Sequence, residues 1–268
     1  MSAKVAICIP VKNRKEAIKI VLKNILEQDY NDYNILACDG MSIDNTIDTL
    51  LEYQQKTDGK VIGWQTKEAG YVNTHNYILS KVDAEYFCFI DSDDFVMKNK
   101  LSEQVKFLDE HPDVDVVSSM LALSDKRVLA NTIVDLDNEQ ITKFLEENNP
   151  MNTICHFQSC MIRKKCLEKF TSGKYFFDEF ETGRCGEGFL YTLHFLGYKF
   201  ANIKSTVYIY NYKVMKDSMT NNINPDYADA MDQMSYEDKK VLIMDLFNKY
   251  NPQKKKKGRP KKEEKVTE

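Results

Sequence analysis

Tyr86-Phe-Cys-Phe-Ile-Asp-Ser-Asp-Asp94 is the stretch from which the fold can be read: five apolar residues run without a break into four polar ones, three of them acidic. A short, continuous apolar run closed by polar residues is the pattern of a strand buried on both faces. Behind it, a helix is expected from about Lys98 to Glu110, where Pro112 ends it. Ahead of it the same alternation repeats three times. Val61-Ile-Gly-Trp64 precedes a helical stretch from Tyr71 to Leu79, and Ile35-Leu-Ala-Cys38 precedes Ile47, Leu50 and Leu51. Val5-Ala-Ile-Cys-Ile-Pro10 precedes Ala17, Ile18, Val21, Leu22, Ile25 and Leu26 at helical spacing. Apolar strands alternating with helices imply an α/β fold with a mainly parallel sheet covered on both faces. In such sheets ligands bind beyond the carboxyl ends of the strands.

The strand ends are therefore where chemistry is expected. They read Pro10-Val-Lys-Asn-Arg14, Asp39-Gly-Met-Ser-Ile-Asp44 and Asp91-Ser-Asp-Asp94, three polar clusters on one sheet edge. Side chains alternate along an extended chain, so Asp91 and Asp93 point the same way, suited to one hard cation that would bridge phosphate oxygens. An Asp-x-Asp spacing is common in a chain with 41 acidic residues. Its position after an apolar strand is what gives it weight.

Taken in order, Ile9-Pro10-Val-Lys-Asn13-Arg14, Asp39 to Thr46, Asn76 and Phe89 to Asp94 resemble the nucleotide-sugar half of the family 2 glycosyltransferases, which have the GT-A fold. The resemblance covers most of residues 4 to 210. It implies one α/β domain, a nucleoside-diphosphate sugar donor, usually a UDP-sugar, a Mn²⁺ or Mg²⁺ cofactor, and inverting transfer to a hydroxyl. Carried over by position, Pro10, Asn13 and Arg14 would line the nucleotide pocket, and Asp39 would accept a hydrogen bond from the base. Asp91 would lie near the ribose and metal, and Asp93 would be the direct metal ligand. Thr74-His75-Asn76 stands where many members have Ala-Arg-Asn, so His75 replaces a usual cation beside the nucleotide and the donor contacts are expected to differ. Phe177-Asp-Glu-Phe180 and Gly186-Glu187-Gly188 resemble the segment that supplies the general base. Gly188 occupies the usual Asp position, leaving Glu187 as the first candidate and Asp178, with Glu179, behind it. Lys213 and Lys216 resemble a late loop that brings positive charge to the diphosphate.

Each of these residues has a plainer reading. Asp91 and Asp93 suit a helix cap and a solvated turn, Asp39 suits a turn with Gly40, and Glu187 suits the positive end of a helix. A histidine on a helix is more often packed than bound to phosphate. His111, His156 and His194 show no ligand spacing.

Two other activity classes fit parts of the pattern. A nucleotidyltransferase would carry a glycine-rich loop after the first strand, and Val11 to Glu16 holds no glycine. A non-catalytic nucleotide-sugar-binding or DNA-binding protein is the other, prompted by Gly188 and His75.

Charge divides the chain. Residues 254 to 268 hold eight basic and three acidic residues, so residues 1 to 253 stand at −9 within a total of −4. With Asn251-Pro252 as a helix stop, the transferase domain is expected to span 1–251: a nucleotide-sugar half (1–111), an acceptor half (112–230) and a C-terminal helical region (226–251). Residues 252–268 read as a disordered basic tail. Its Lys254-Lys-Lys-Lys-Gly258-Arg259-Pro260-Lys-Lys262 resembles an AT-hook, in which an arginine enters the minor groove of A·T-rich DNA. That implies DNA as a partner through residues 254–262 and a hydroxylated base as acceptor, the rival acceptors being a surface glycan or a glycoprotein.

No apolar run reaches the roughly 20 residues needed to span a bilayer, and no membrane partner is expected. Seven cysteines without a CxxC pair suggest buried free thiols in a reducing compartment. A cytoplasmic location is the expectation, the host cytoplasm if the chain is viral.

Overall fold

The computed structural model describes residues 2–124, 135–180, 184–211 and 233–252. Lys213, Lys216 and the tail at 254–262 lie outside the described residues.

The four apolar runs form β1 (Val5–Val11), β2 (Tyr33–Asp39), β3 (Val61–Gln65) and β4 (Tyr86–Phe89), all parallel where they pair. Helices follow as α1 (Lys15–Leu26), α2 (Thr46–Lys56) and α3 (Tyr71–Leu79). Beyond β4 come β5 (Phe95–Val96), α4 (Lys100–Glu110), β6 (Val116–Leu123) and α5 (Asn138–Glu146). The chain continues through β7 (Met161–Arg163), α6 (Cys185–Phe195), β8 (Phe200–Tyr210) and α7 (Tyr236–Tyr250). The eight strands make one sheet in the order β3-β2-β1-β4-β7-β6-β8-β5. β6 and β8 are also parallel, whereas β7 runs antiparallel to both its neighbours and β5 antiparallel to β8. The sheet is thus mainly parallel, as expected for a GT-A fold.

Alternation along β1 divides the core. Val5, Ile7, Ile9 and Val11 pack on one face with Ile18, Val21, Leu22 and Ile25 of α1 and with Leu101 and Leu108 of α4. Ala6 and Cys8 face the other side, toward Ile78 of α3, Leu145 of α5, Phe189 of α6 and Phe247 of α7. Full burial of side chains of this size contributes roughly 1.5 to 3 kcal/mol each, which fixes the register of β1 and so the place where its polar end emerges. All seven cysteines are buried and unpaired.

Candidate active site

The ends of β1, β2 and β4 meet at one edge. β1 pairs Val11 with Asp39 of β2, and Ile90 just past β4 donates its N–H to Cys8 O at 3.0 Å. Short side chains then lace the loops together. Asn13, with φ 52°, donates its N–H to Ser42 Oγ at 2.7 Å, and its Oδ1 accepts the Ile43 N–H at 2.9 Å. Asparagine tolerates that left-handed conformation better than most residues. Asp44 accepts the Lys15 N–H at 3.1 Å and the Thr46 N–H at 3.0 Å, so one carboxylate caps the start of two helices.

Pro10 is buried in β1 opposite Cys38, and Asp39 has no exposed surface. The Asp39 carboxylate accepts the Ser42 N–H, the Ser42 hydroxyl and the Gln65 side-chain amide, the last at 2.8 Å. Gln65, at the end of β3, was not singled out in the sequence; its one signal was its place at a strand end.

Across from these loops lies the acidic turn after β4. Arg14 Nε stands 3.8 Å from Asp93 Oδ2, joining the first strand end to the third. Burial, then the neighbouring Asp94 and Asp93 charges, drive the Asp91 carboxyl well above the usual range, with Gln158 at 3.2 Å opposing. Burial also raises Asp93, opposed by Arg14. A pair of carboxylates that resists ionisation for these reasons is a place where added positive charge is stabilising. Among the described residues no group of three or more His, Cys, Asp and Glu side chains is arranged to hold an ion. Asp91 and Asp93 nonetheless fit a cation of the Mg²⁺ type, which is commonly held by one or two carboxylates and completed by phosphate oxygens and water. The third carboxylate, Asp94, is pushed up to about 7 by burial and is committed to Tyr208 and Asn211.

The candidate base sits on α6. Glu187 is in its first turn and pairs with Arg184 Nη1 at 2.8 Å; the Glu187 side chain is 12% exposed. Cys185, which opens α6, is buried, and burial first, then the negative charge of nearby Asp91, pushes its thiol well up, so the start of this helix lies near the acidic turn. Gly186 allows the approach, because a Cβ there would meet the Phe157 ring at 2.6 Å. Asp178 is 53% exposed and bound to Lys174 at 2.6 Å, and Glu179 is held by Lys249 at 2.9 Å and by Tyr250.

His75 and Asn76 are placed differently from the other candidates. His75 has no exposed surface: Tyr71, Phe89 and Phe176 surround its ring at 4.0, 5.0 and 5.1 Å, Nδ1 pairs with Tyr71 O at 2.8 Å, and burial lowers its pKa to about 4. The structure gives this histidine a packing position, with no surface toward a donor. Asn76 Oδ1 accepts the N–H groups of Tyr175 and Phe176, both at 2.8 Å, and its amide donates to Phe176 O at 3.0 Å. Its side chain is spent on fixing the segment that leads to Asp178.

Residues 6–170 match the family model described as glycosyl transferase family 2. The chain belongs to this family. Among curated relatives of the family, the poly(ribitol-phosphate) beta-N-acetylglucosaminyltransferase TarS of Staphylococcus aureus is 28% identical over 110 residues, 40% of this chain and 19% of TarS. The UDP-Glc:alpha-D-GlcNAc-diphosphoundecaprenol beta-1,3-glucosyltransferase WfgD of Escherichia coli is 29% identical over 104 residues, 39% of this chain and 40% of WfgD. The chain matches less than half the length of either relative. The crystal structure of S. aureus TarS 1–349 with UDP-GlcNAc superposes with a TM-score of 0.65 at 16% identity, covering 91% of this chain and 72% of the other. A Pyrobaculum calidifontis mannosyltransferase with GDP-Man and Mn²⁺ gives 0.57 at 19% identity, covering 78% and 57%. At those identities the likeness is one of fold, and the fold is GT-A. No helix among the described residues is long and apolar enough to cross a membrane.

Proposed function

We propose that this chain is a metal-dependent inverting glycosyltransferase that moves a sugar from a UDP-sugar to an acceptor hydroxyl. The observation that carries the reading is the pairing of half-buried Asp91 and Asp93, both raised by burial, on the sheet edge shared by Arg14 and Asp39. In this reading Pro10, Asn13 and Arg14 border the nucleotide, and Asp39 accepts the base N–H after Gln65 gives up its bond. Mn²⁺ or Mg²⁺ held by Asp93 and Asp91 would neutralise charge developing on the departing diphosphate. Lys213 and Lys216 would add positive charge there. Glu187 takes the acceptor proton; it is more sheltered than Asp178 and lies in the first turn of α6. Attack comes from the face opposite the diphosphate, so no covalent enzyme intermediate forms.

Incubation with a panel of nucleotide sugars and Mn²⁺, without acceptor, tests this by release of free diphosphate. Slow release from a UDP-sugar that stops on chelation is expected. No release from any donor, together with no nucleotide binding by calorimetry, would refute it. Release of inorganic pyrophosphate on mixing a sugar phosphate with a nucleoside triphosphate would point to nucleotidyl transfer instead.

The acceptor has two readings. TarS and WfgD are named for a poly(ribitol-phosphate) and a diphosphoundecaprenol-linked acceptor, which supports a surface glycan. The Gly258-Arg259-Pro260 core of the basic tail supports a hydroxylated base in DNA. Full-length protein that binds A·T-rich duplex, with affinity falling steeply as salt rises, and loses this when residues 252–268 are removed, favours DNA. Equal binding by both forms removes the tail from the argument.

A further inference from the structure

Asp94 stands next to the two carboxylates assigned to the cation and is used in another way. It is 2% exposed. Its Oδ2 accepts the Tyr208 hydroxyl at 2.7 Å, and its Oδ1 accepts the Asn211 N–H at 2.7 Å. The same Tyr208 oxygen accepts the Asp91 N–H at 3.2 Å, and the Asn211 amide donates to Asp93 O at 3.0 Å. β5 continues the attachment, with Phe95 opposite Ile209 and Val96 opposite Tyr208.

Two residues at the end of β8 therefore fix the backbone at 91 and 93 and the side chain at 94. That network leaves the Asp91 and Asp93 carboxylates out; they meet Gln158 and Arg14. Tyr208 is fully buried, so the anchor itself has little freedom. A phenol and amides are neutral donors. They hold the turn without cancelling its negative charge, as a lysine or arginine at the same points would.

We propose that Asp94, Tyr208 and Asn211 are positioning residues that set the spacing of the Asp91 and Asp93 carboxylates for a divalent cation bound together with a nucleoside diphosphate. The inference rests on the metal-dependent reading above. Residues of this kind, which orient ligands without touching the metal, typically alter metal affinity about 10 to 100-fold when changed.

The test is titration of Mn²⁺ into full-length protein saturated with UDP, followed by the paramagnetic resonance signal of free Mn²⁺, beside UDP binding measured in chelator. Tyr208→Phe is expected to weaken Mn²⁺ binding about 10 to 100-fold and to leave metal-free UDP affinity unchanged. A folded Tyr208→Phe with wild-type Mn²⁺ affinity overturns the proposal, as does an equal loss of Mn²⁺ and metal-free UDP binding, which marks a merely structural role. Should Tyr208→Phe not fold, Asn211→Ala at the strand end replaces it. That variant keeps its N–H and loses only the bond to Asp93 O, so a several-fold loss of Mn²⁺ affinity is expected, and none overturns the proposal. Wild-type protein that binds UDP but no Mn²⁺ refutes the metal reading itself, and this inference with it.

Discussion

Two parts of the site are built in opposite ways. The loop from Asp39 to Thr46 is laced to the end of β1 by short side chains at adjoining strand ends: Asn13, Ser42, Asp44 and Thr46. The segment from Ser172 to Glu179 has no strand of its own and hangs between two helices. Asn76 of α3 holds its middle, while Lys249 and Tyr250 in the last turn of α7 and the fully buried Asn251 just after it hold both its ends. Phe177 also stacks on Tyr250, with ring centroids 5.5 Å apart. In the proposed reading the donor side is thus set by sheet register, and the acceptor side by distant anchors. Chemistry assigned to each should fail in its own way.

The largest effect is expected on the donor side. Asp93→Asn replaces a hard anionic ligand by a neutral amide, and turnover should fall by about 10³-fold, the equivalent of roughly 4 kcal/mol, with loss of Mn²⁺ dependence. Metal-titrated donor hydrolysis measures it; retained Mn²⁺ dependence would remove Asp93 from the metal site. Next comes the acceptor side. Glu187→Gln keeps size and loses basicity, so turnover should drop by at least about 10²-fold with donor affinity nearly unchanged. Should Asp178→Asn produce the greater loss in parallel assays, the base lies in the suspended segment and not on α6.

The contrast also explains what could be read from sequence. β1 to β4, the helix from Tyr71 to Leu79 and the meeting of Asn13, Arg14, Asp39, Asp91 and Asp93 at one edge follow from local apolar runs that end in polar residues. Such runs record which residues share a face. They do not record partners 114 positions apart, as for Tyr208 and Asp94, or 79 apart, as for Asn251 and Ser172. Gln65 was hidden for the same reason, being 26 residues from Asp39. β5 and β7, with two and three residues, are too short to leave a period, so the antiparallel part of the sheet was not foreseen. His75 shows the converse: helical spacing places it on α3, but the aromatic rings around it come from β4 and from residue 176, which no local spacing records.

Smaller effects sharpen the comparison through stability. Asn251→Ala removes a fully buried side chain that accepts the Ser172 N–H and hydroxyl and donates to Lys174 O, and should cost about 1 to 3 kcal/mol in urea unfolding. Ser42→Ala removes a hydroxyl from a loop with several other ties and should cost under about 1 kcal/mol. Equal losses would mean that the acceptor segment has no special dependence on α7.

The narrowest expected effect is confined to a pH window and concerns His75, which sits where α3, β4 and the suspended segment meet. Its folded-state pKa, about 4, lies below the ordinary 6.5. Between those values the unfolded chain binds a proton that the folded chain does not, so stability contributed here is present above pH 6.5 and falls as pH drops toward 4. Among the described residues the ring has no acid or base beside it to offset this: Nδ1 pairs with the Tyr71 carbonyl, Nε2 has no hydrogen-bond partner, and the neighbouring rings are Tyr71, Phe89 and Phe176. Between pH 7 and pH 5 this one group should remove about 1 to 2 kcal/mol. His75→Phe keeps the stacking and cannot take the proton, so its unfolding free energy should lose less than the wild type over that interval. The two should differ little in slope above pH 7. Metal-free UDP affinity at pH 7.5 provides the second reading of the same variant: unchanged affinity agrees with a packing role, whereas a clear loss would return His75 to the donor pocket.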